Sequence, residues 1–185
     1  MIIIHFAILA QLLLIEKLFG IEQTRHELNS YNSYDIPNPQ NEPVGCINNR
    51  KLPEYLEAYG NVSTLPPSWV CDPMGFATPT QFVIMNNRIS NMMQKIEAQL
   101  GVVVIDKLID EKEEKFTKNV FDNWKVGYSA KNGGVVLSLM VDDRYTYIQA
   151  GKNSKDVITD KVRNEIFDEI SPYFRNGDYG QVRLV

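Results

Sequence analysis

The sequence predicts an α/β fold: a three-layer α/β/α sandwich with a small mixed central sheet, preceded by a Pro/Asn-rich arm. Segments in which apolar residues recur at helical spacing alternate with short, continuous apolar runs that are typical of buried strands. This alternation implies a sheet covered by helices on both faces. The 185 residues leave room for one such domain and a tail, because single domains usually run to ~100–200 residues.

The first 20 residues are predicted to be a signal peptide. Residues 1–15 are almost unbroken apolar sequence, and Glu16 and Lys17 end the run. That length fits a signal-peptide core and is shorter than the ~20 residues that a membrane-spanning helix needs. An uncleaved membrane anchor is the alternative. We therefore expect a protein that is secreted or held at the extracellular face of the plasma membrane, touching the membrane only through an anchor or a partner.

Residues 21–68 form the predicted extended arm. Helix is excluded across most of it, because each proline removes a backbone donor and restricts the residue before it. The prolines are Pro37, Pro39, Pro43, Pro53, Pro66 and Pro67. Only the stretch from Pro53 to Tyr59 has a spacing that allows one or two helical turns.

Cys46 and Cys71 are the only cysteines of the chain. An even number in an exported protein predicts a disulfide, which would stabilise the fold by ~3 kcal/mol through loop closure. Two free thiols are the alternative. Asn61, in the triplet Asn61-Val62-Ser63 within the same loop, is a candidate glycosylation site.

Residues 69–185 are predicted to form the domain itself. Apolar residues that recur with a period of about 3.6 residues identify its helices, and continuous or alternating apolar runs between turn residues identify its strands. The predicted elements are a helix from Pro79 to Leu100 ended by Gly101, a strand over 102–105, a helix over 111–124, a hairpin of strands over 135–141 and 144–150 joined by a turn at Asp142-Asp143, and a helix capped by Thr159 and ended by Pro172. Pro79 suits the first turn of a helix, and Thr159 is a good N-cap.

Charge and histidine content exclude several function classes. The net charge of −4 and the pI of about 5.2 provide no basic field for nucleic acid. The only histidines are His5 and His26, so a histidine-based triad or a His/Cys zinc site is not expected in the domain. The sequence contains neither a Walker A loop nor a GxGxxG motif, which are the usual nucleotide cradles.

Acidic residues are the remaining candidates for chemistry. Asp72, Asp142 and Asp143 are placed in loops at strand ends, which converge on one edge of an α/β sheet. Carboxylates gathered there would suit Ca²⁺, which takes six to eight oxygen ligands in typical sites. The alternative is ordinary turn chemistry, in which the same side chains cap backbone donors without a metal.

A series of short motifs in a fixed order resembles the TPM domain over about residues 69–180. The motifs are Val70-x-Asp72-Pro73-x-Gly75, Gly101 with three following valines, Phe121-x-x-Trp124-x-x-Gly127, Asn132-Gly133-Gly134-Val135, Val141-Asp142-Asp143-Arg144, Gly151, Thr159-Asp160, and Pro172-Tyr173-Phe174 with Gly177-Asp178-Tyr179. The arm, with Pro37-Asn38-Pro39, Cys46 and Cys71-Asp72-Pro73, is similar to that of the nematode modulators of the levamisole-sensitive acetylcholine receptor.

This resemblance implies an accessory protein, not an enzyme, that binds the subunits of a ligand-gated ion channel outside the cell and raises its response. Other TPM domains imply two alternatives: a calcium-dependent acid phosphatase, whose acidic cluster would map onto Asp72, Asp142 and Asp143, and a secreted Ca²⁺-binding domain. The chain departs from the catalytic relatives at residues 151–155, Gly-Lys-Asn-Ser-Lys, where they carry a glycine-rich stretch.

Overall fold

The computed structural model describes residues 30–48, 52–59, 67–96, 98–128, 133–165 and 167–168. The strands are β1 Ser30–Tyr31, β2 Val70–Cys71, β3 Gln99–Ile105, β4 Lys107–Leu108, β5 Gly134–Met140 and β6 Tyr145–Ala150. The helices are α1 Leu52–Tyr59, α2 Pro79–Ile96, α3 Glu113–Trp124 and α4, which is helical over 160–165. The predicted signal peptide, Asn61 and the predicted helix end at Pro172 lie outside the described residues.

The central sheet is mixed and has the strand order β2-β3-β5-β6. β3 runs parallel to both β2 and β5, whereas β6 returns antiparallel to β5. The predicted hairpin is therefore confirmed, and its turn occupies residues 141–144. Each parallel pair is joined through a helix, as parallel strands require a crossover connection.

Alternate residues of β3 face two separate hydrophobic cores. Val102 and Val104 belong to the core that contains Phe82, Met85 and Ile89 of α2. Val103 and Ile105 belong to the other core, which contains the apolar stripe of α3. From Leu100 to Ile105, β3 is apolar because both of its faces are buried, and the predicted α/β/α sandwich is confirmed.

Two predicted helix boundaries are wrong. Leu100 was assigned to the end of the first helix, but it lies in β3 and pairs with Val135. Gly101, which was predicted to end the helix, is also inside this strand. A glycine fits there because the ring of Trp124 packs on it: a Cβ at Gly101 would lie 3.0 Å from Cζ3 of Trp124. Helix α3 begins at Glu113 rather than at residue 111, since the Glu111 carboxylate bonds to another part of the chain.

The described part of the arm packs onto the domain. Ile36, Cys46 and Ile47 are buried, and Ile47 pairs with Asp72 beside β2. Strand β1 pairs in parallel with β4, forming a second, two-stranded sheet. Neither of these short strands was predicted from the sequence.

A disulfide and an aromatic contact join further described residues of the arm to the domain. The predicted disulfide is present: Cys46 and Cys71 are bonded, with 4.4 Å between their Cα atoms. The predicted turns near Pro53 form helix α1, whose Tyr55 ring packs edge-on against Phe82 at 5.6 Å between centroids. Within the described ranges, no helix is long and apolar enough to cross a membrane.

Candidate functional site at the carboxyl edge of the sheet

Loops that follow the three parallel strands meet at one edge of the sheet. β2, β3 and β5 end at Cys71, Ile105 and Met140, and the turns that carry the predicted acidic residues start there. Ligands of open α/β sheets usually bind outside the carboxyl ends of the strands. This edge is therefore the candidate functional site.

Asp72 is turned inward and holds its own loop together. Its Oδ1 accepts hydrogen bonds from the backbone N–H groups of Gly75 and Phe76 at 2.9 and 3.1 Å, and its Oδ2 accepts one from Ala77 at 2.8 Å. The side chain is buried, and Gly75 has a φ of 70°, which suits glycine. This is the turn-capping alternative of the sequence analysis, in which a carboxylate satisfies backbone donors.

Asp142 and Asp143 lie in the hairpin turn, as predicted, but they differ in environment. Asp142 is exposed, and its backbone N–H donates to the carbonyl of Asp106 at 2.9 Å. The Oδ2 of Asp143 instead accepts a 2.9 Å hydrogen bond from the backbone N–H of Leu108 in β4. The Asp143 side chain thus ties the hairpin to the loop after β3.

The structure brings these aspartates to one edge without gathering them into a metal-binding group. Among the described residues, no set of three or more His, Cys, Asp or Glu side chains is arranged to hold a metal ion. Both oxygens of Asp72 already accept backbone hydrogen bonds, so Asp72 as placed does not fit a shared calcium cage. Calcium binding stays a prediction for titration to test.

The carboxylate of Glu111 also joins two distant parts of the chain, and this contact was not predicted from the sequence. Its Oε2 accepts the backbone N–H of Ser33 at 2.7 Å, and its Oε1 accepts the Ser33 hydroxyl at 3.1 Å. The amide of Asn119 donates to the same Oε1 at 3.2 Å. The Glu111 side chain is only 7% exposed, so this contact is shielded from water. Ser33 and Glu111 are 78 positions apart in the sequence, so no local signal predicted their pairing.

Three large hydrophobic side chains are exposed on the segments that the carboxylates of Glu111 and Asp143 join. Tyr34 is 81% exposed in the turn bonded to Glu111, and Ile109 is 43% exposed between Leu108 and Glu111. Tyr145 is 54% exposed directly after the hairpin turn. We call the loops 32–35, 106–112 and 141–145, with these side chains, the latched edge.

Further along β6, Tyr147 lies outside the latched edge and is partly enclosed. Burial is the main cause that raises the pKa of its phenol above 10.0, and the nearby charge of Glu114 adds to the increase. Both effects disfavour the phenolate. Tyr147 is therefore a neutral packing residue at neutral pH.

The family model described as the TPM domain, named TPM phosphatase, matches residues 70–182. The chain belongs to the TPM domain family. Among solved structures, this TPM domain is similar to the N-terminal domain of a protein from P. gingivalis determined by solution NMR, with a TM-score of 0.61 and 23% sequence identity. The similarity covers 83% of this chain and 84% of that one, and at this identity it supports the fold alone. The comparison with curated proteins gave no match.

Proposed function

We propose that the chain is an extracellular accessory protein that binds and positively modulates a levamisole-sensitive acetylcholine-gated channel. The observation that carries the proposal is the latched edge, where loops held by Glu111 and Asp143 present exposed Tyr34 and Tyr145. Tyrosines on ordered loops are typical of protein-binding surfaces. The Cys46–Cys71 disulfide supports an oxidising compartment such as the cell exterior.

The arm supports the narrower assignment to the nematode receptor modulators. The resemblance depends on Cys46 and on Cys71-Asp72-Pro73. Cys46, Cys71 and Asp72 are buried, and the disulfide and the Asp72 turn fix the arm against β2. A partner shifts a channel's conformational equilibrium only by its difference in affinity for the channel states. The accessory chain would therefore favour the open or agonist-bound state by binding it more tightly than the resting state.

Co-expression with the channel tests this proposal. The full chain is expressed in oocytes with a levamisole-sensitive acetylcholine receptor, and levamisole-evoked currents are compared with those of oocytes lacking the chain. We expect larger currents at the same surface level of receptor. Unchanged currents, together with no co-precipitation of the receptor, would reject the proposal.

The name of the family model supports a phosphatase as the second candidate, and the resemblance to other TPM domains implies a calcium-dependent acid phosphatase. It predicts hydrolysis of phosphate esters that requires calcium and decreases in the Asp142→Asn/Asp143→Asn variant. Calorimetric titration of the same samples tests for a secreted Ca²⁺-binding domain. Metal-dependent turnover by the purified full chain would favour the phosphatase over the accessory protein, and binding without turnover would favour the Ca²⁺-binding domain.

A further inference from the structure

The first backbone N–H groups of β3 find acceptors on both sides of the strand. The Gln99 N–H donates to the carbonyl of Gly133 at 2.9 Å, on the side of β5. The Val102 N–H donates at 2.9 Å to the carbonyl of Trp69, directly before β2. Because directions along a strand repeat every second residue, the N–H of Leu100 also points to the side of β2.

The acceptor for Leu100 is a sulfur atom. Its backbone N–H donates to Sδ of Met93, in the last turn of α2, at 3.2 Å. The chain before β2 has already turned towards the arm, where the Ser68 N–H donates to the carbonyl of Pro39. A thioether is a weak acceptor, so the junction between α2 and β3 depends on a contact that chemistry at sulfur can change.

Met93 is also the methionine that solvent reaches. Four of the described methionines are buried, none more than 4% exposed, whereas Met93 is half-buried at the margin of the core that contains Phe82. The buried four are Met74, Met85, Met92 and Met140. Both cysteines of the chain are joined in the disulfide, so no thiol competes with this thioether for an oxidant.

We propose that Met93 is a modification site, at which a hydroperoxide oxidises the thioether to the sulfoxide and thereby loosens the start of β3. A sulfur lone pair attacks one oxygen of hydrogen peroxide, the O–O bond breaks and an S–O bond forms. The proton on the attacked oxygen passes to the departing hydroxide, which leaves as water. Sulfur loses two electrons and the peroxide gains them. The inference goes beyond the proposed function and does not depend on a channel partner.

The position of the sulfur explains why oxidation would loosen the strand. With Sδ of Met93 3.2 Å from the nitrogen of Leu100, an added oxygen cannot lie between them unless the side chain or the strand end moves. On the other side, the oxygen would place a polar group against the apolar core. Either position disturbs the junction. Methionine sulfoxide reductases reverse the change, so the site would be switchable.

Peroxide treatment of the folded full chain, followed by peptide mapping in a mass spectrometer, is the first measurement. Buried methionines react only when the fold opens, so we expect Met93 sulfoxide to form at least about tenfold faster than the sulfoxide of each of the four buried methionines. Met1, which lies outside the described residues, is mapped separately. Equal rates at Met93 and at its buried neighbour Met92 would overturn the site.

Amide hydrogen exchange of the same samples measures the consequence. After oxidation, the Leu100 N–H should exchange at least about tenfold faster, while the Val102 N–H, bonded to a carbonyl, should stay within about twofold. Unchanged or slower exchange at Leu100 would overturn the loosening. Treatment with methionine sulfoxide reductases should restore the original rate, and failure to restore it would assign the change to another lesion and contradict the proposal.

A matched pair of variants completes the test. Met93→Leu removes the sulfur and Met92→Leu removes its buried neighbour, and both substitutions nearly conserve volume. Peroxide should leave exchange at Leu100 unchanged in Met93→Leu and accelerate it in Met92→Leu as in the unaltered chain. A peroxide response that persists in Met93→Leu would overturn the assignment. The mapping and exchange of the unaltered chain decide the proposal even if a variant fails to fold.

Discussion

The two edges of the central sheet are closed by different means. At the amino edge, backbone packs on backbone: a Cβ at Gly127 would lie 2.7 Å from the nitrogen of Gly134, and one at Gly134 would lie 2.6 Å from the carbonyl oxygen of Val126. At the carboxyl edge, the carboxylates of Asp72, Glu111 and Asp143 hold the loops. At these two positions the amino edge therefore has no room for a side chain, whereas the loops of the carboxyl edge have large exposed side chains.

The largest effect is expected at Asp72, and it tests whether a carboxylate at the carboxyl edge contributes as much to the free energy of unfolding as the glycines at the amino edge. Asp72→Ala removes the acceptor of three backbone N–H groups in a buried turn. Each stranded buried donor costs ~1–3 kcal/mol, and after partial relaxation we expect the free energy of unfolding to decrease by about 4 kcal/mol. Urea denaturation of the disulfide-intact chain measures it.

The control for this change is Asp142→Ala at the same edge. The Asp142 side chain is exposed, so we expect its loss to alter stability by less than ~0.5 kcal/mol. Equal losses in the two variants would contradict the distinction between a structural and a surface-facing aspartate.

The next effect probes the amino edge. In Gly134→Ala, the added methyl group meets rigid backbone, and we expect stability to decrease by about 3 kcal/mol, at the upper end of overpacking costs. Gly101→Ala is the comparison, because its methyl group would meet a side chain, the Trp124 ring at 3.0 Å, rather than backbone at 2.6 Å. Urea midpoints of both variants rank them, and a larger loss in Gly101→Ala would refute the backbone-on-backbone account.

A smaller effect concerns the hydrogen bonds that the Glu111 carboxylate accepts. Glu111→Gln keeps the shape but replaces one acceptor oxygen with a donor that faces other donors, and we expect a loss of about 1–2 kcal/mol. Amide hydrogen exchange gives the local measurement: the Ser33 N–H should exchange faster, while the Leu108 N–H, bonded to Asp143, should not. Equally accelerated exchange at both amides would show that the hydrogen bonds to Glu111 and to Asp143 are not independent.

The sequence predicted the parts of this comparison that depend on periodicity. The run 102–105 and the stripe of Phe116, Val120 and Trp124 are buried as expected, because burial of a strand or helix face leaves a repeating pattern. The pairing of Ser30–Tyr31 with Lys107–Leu108 was missed, since two residues are too few to show a period. Glu111 was missed because its partner is distant in the chain. Asp72 was found, and the turn-capping alternative describes its contacts.

The smallest expected effect lies between the two edges, at Tyr147 in the middle of β6. Burial, followed by the charge of Glu114, raises its pKa above 10.0, so the folded chain holds the phenol proton more tightly than the unfolded chain does. The resulting stabilisation is fully present below pH 10 and is lost as the pH rises through the folded-state pKa. Between pH 8 and pH 11, the unaltered chain should therefore lose slightly more stability than Tyr147→Phe, measured as urea midpoints. Glu114→Gln, which removes the second cause, should lower the pKa of Tyr147 in an ultraviolet titration; an unchanged value would show that the charge of Glu114 does not act on this phenol.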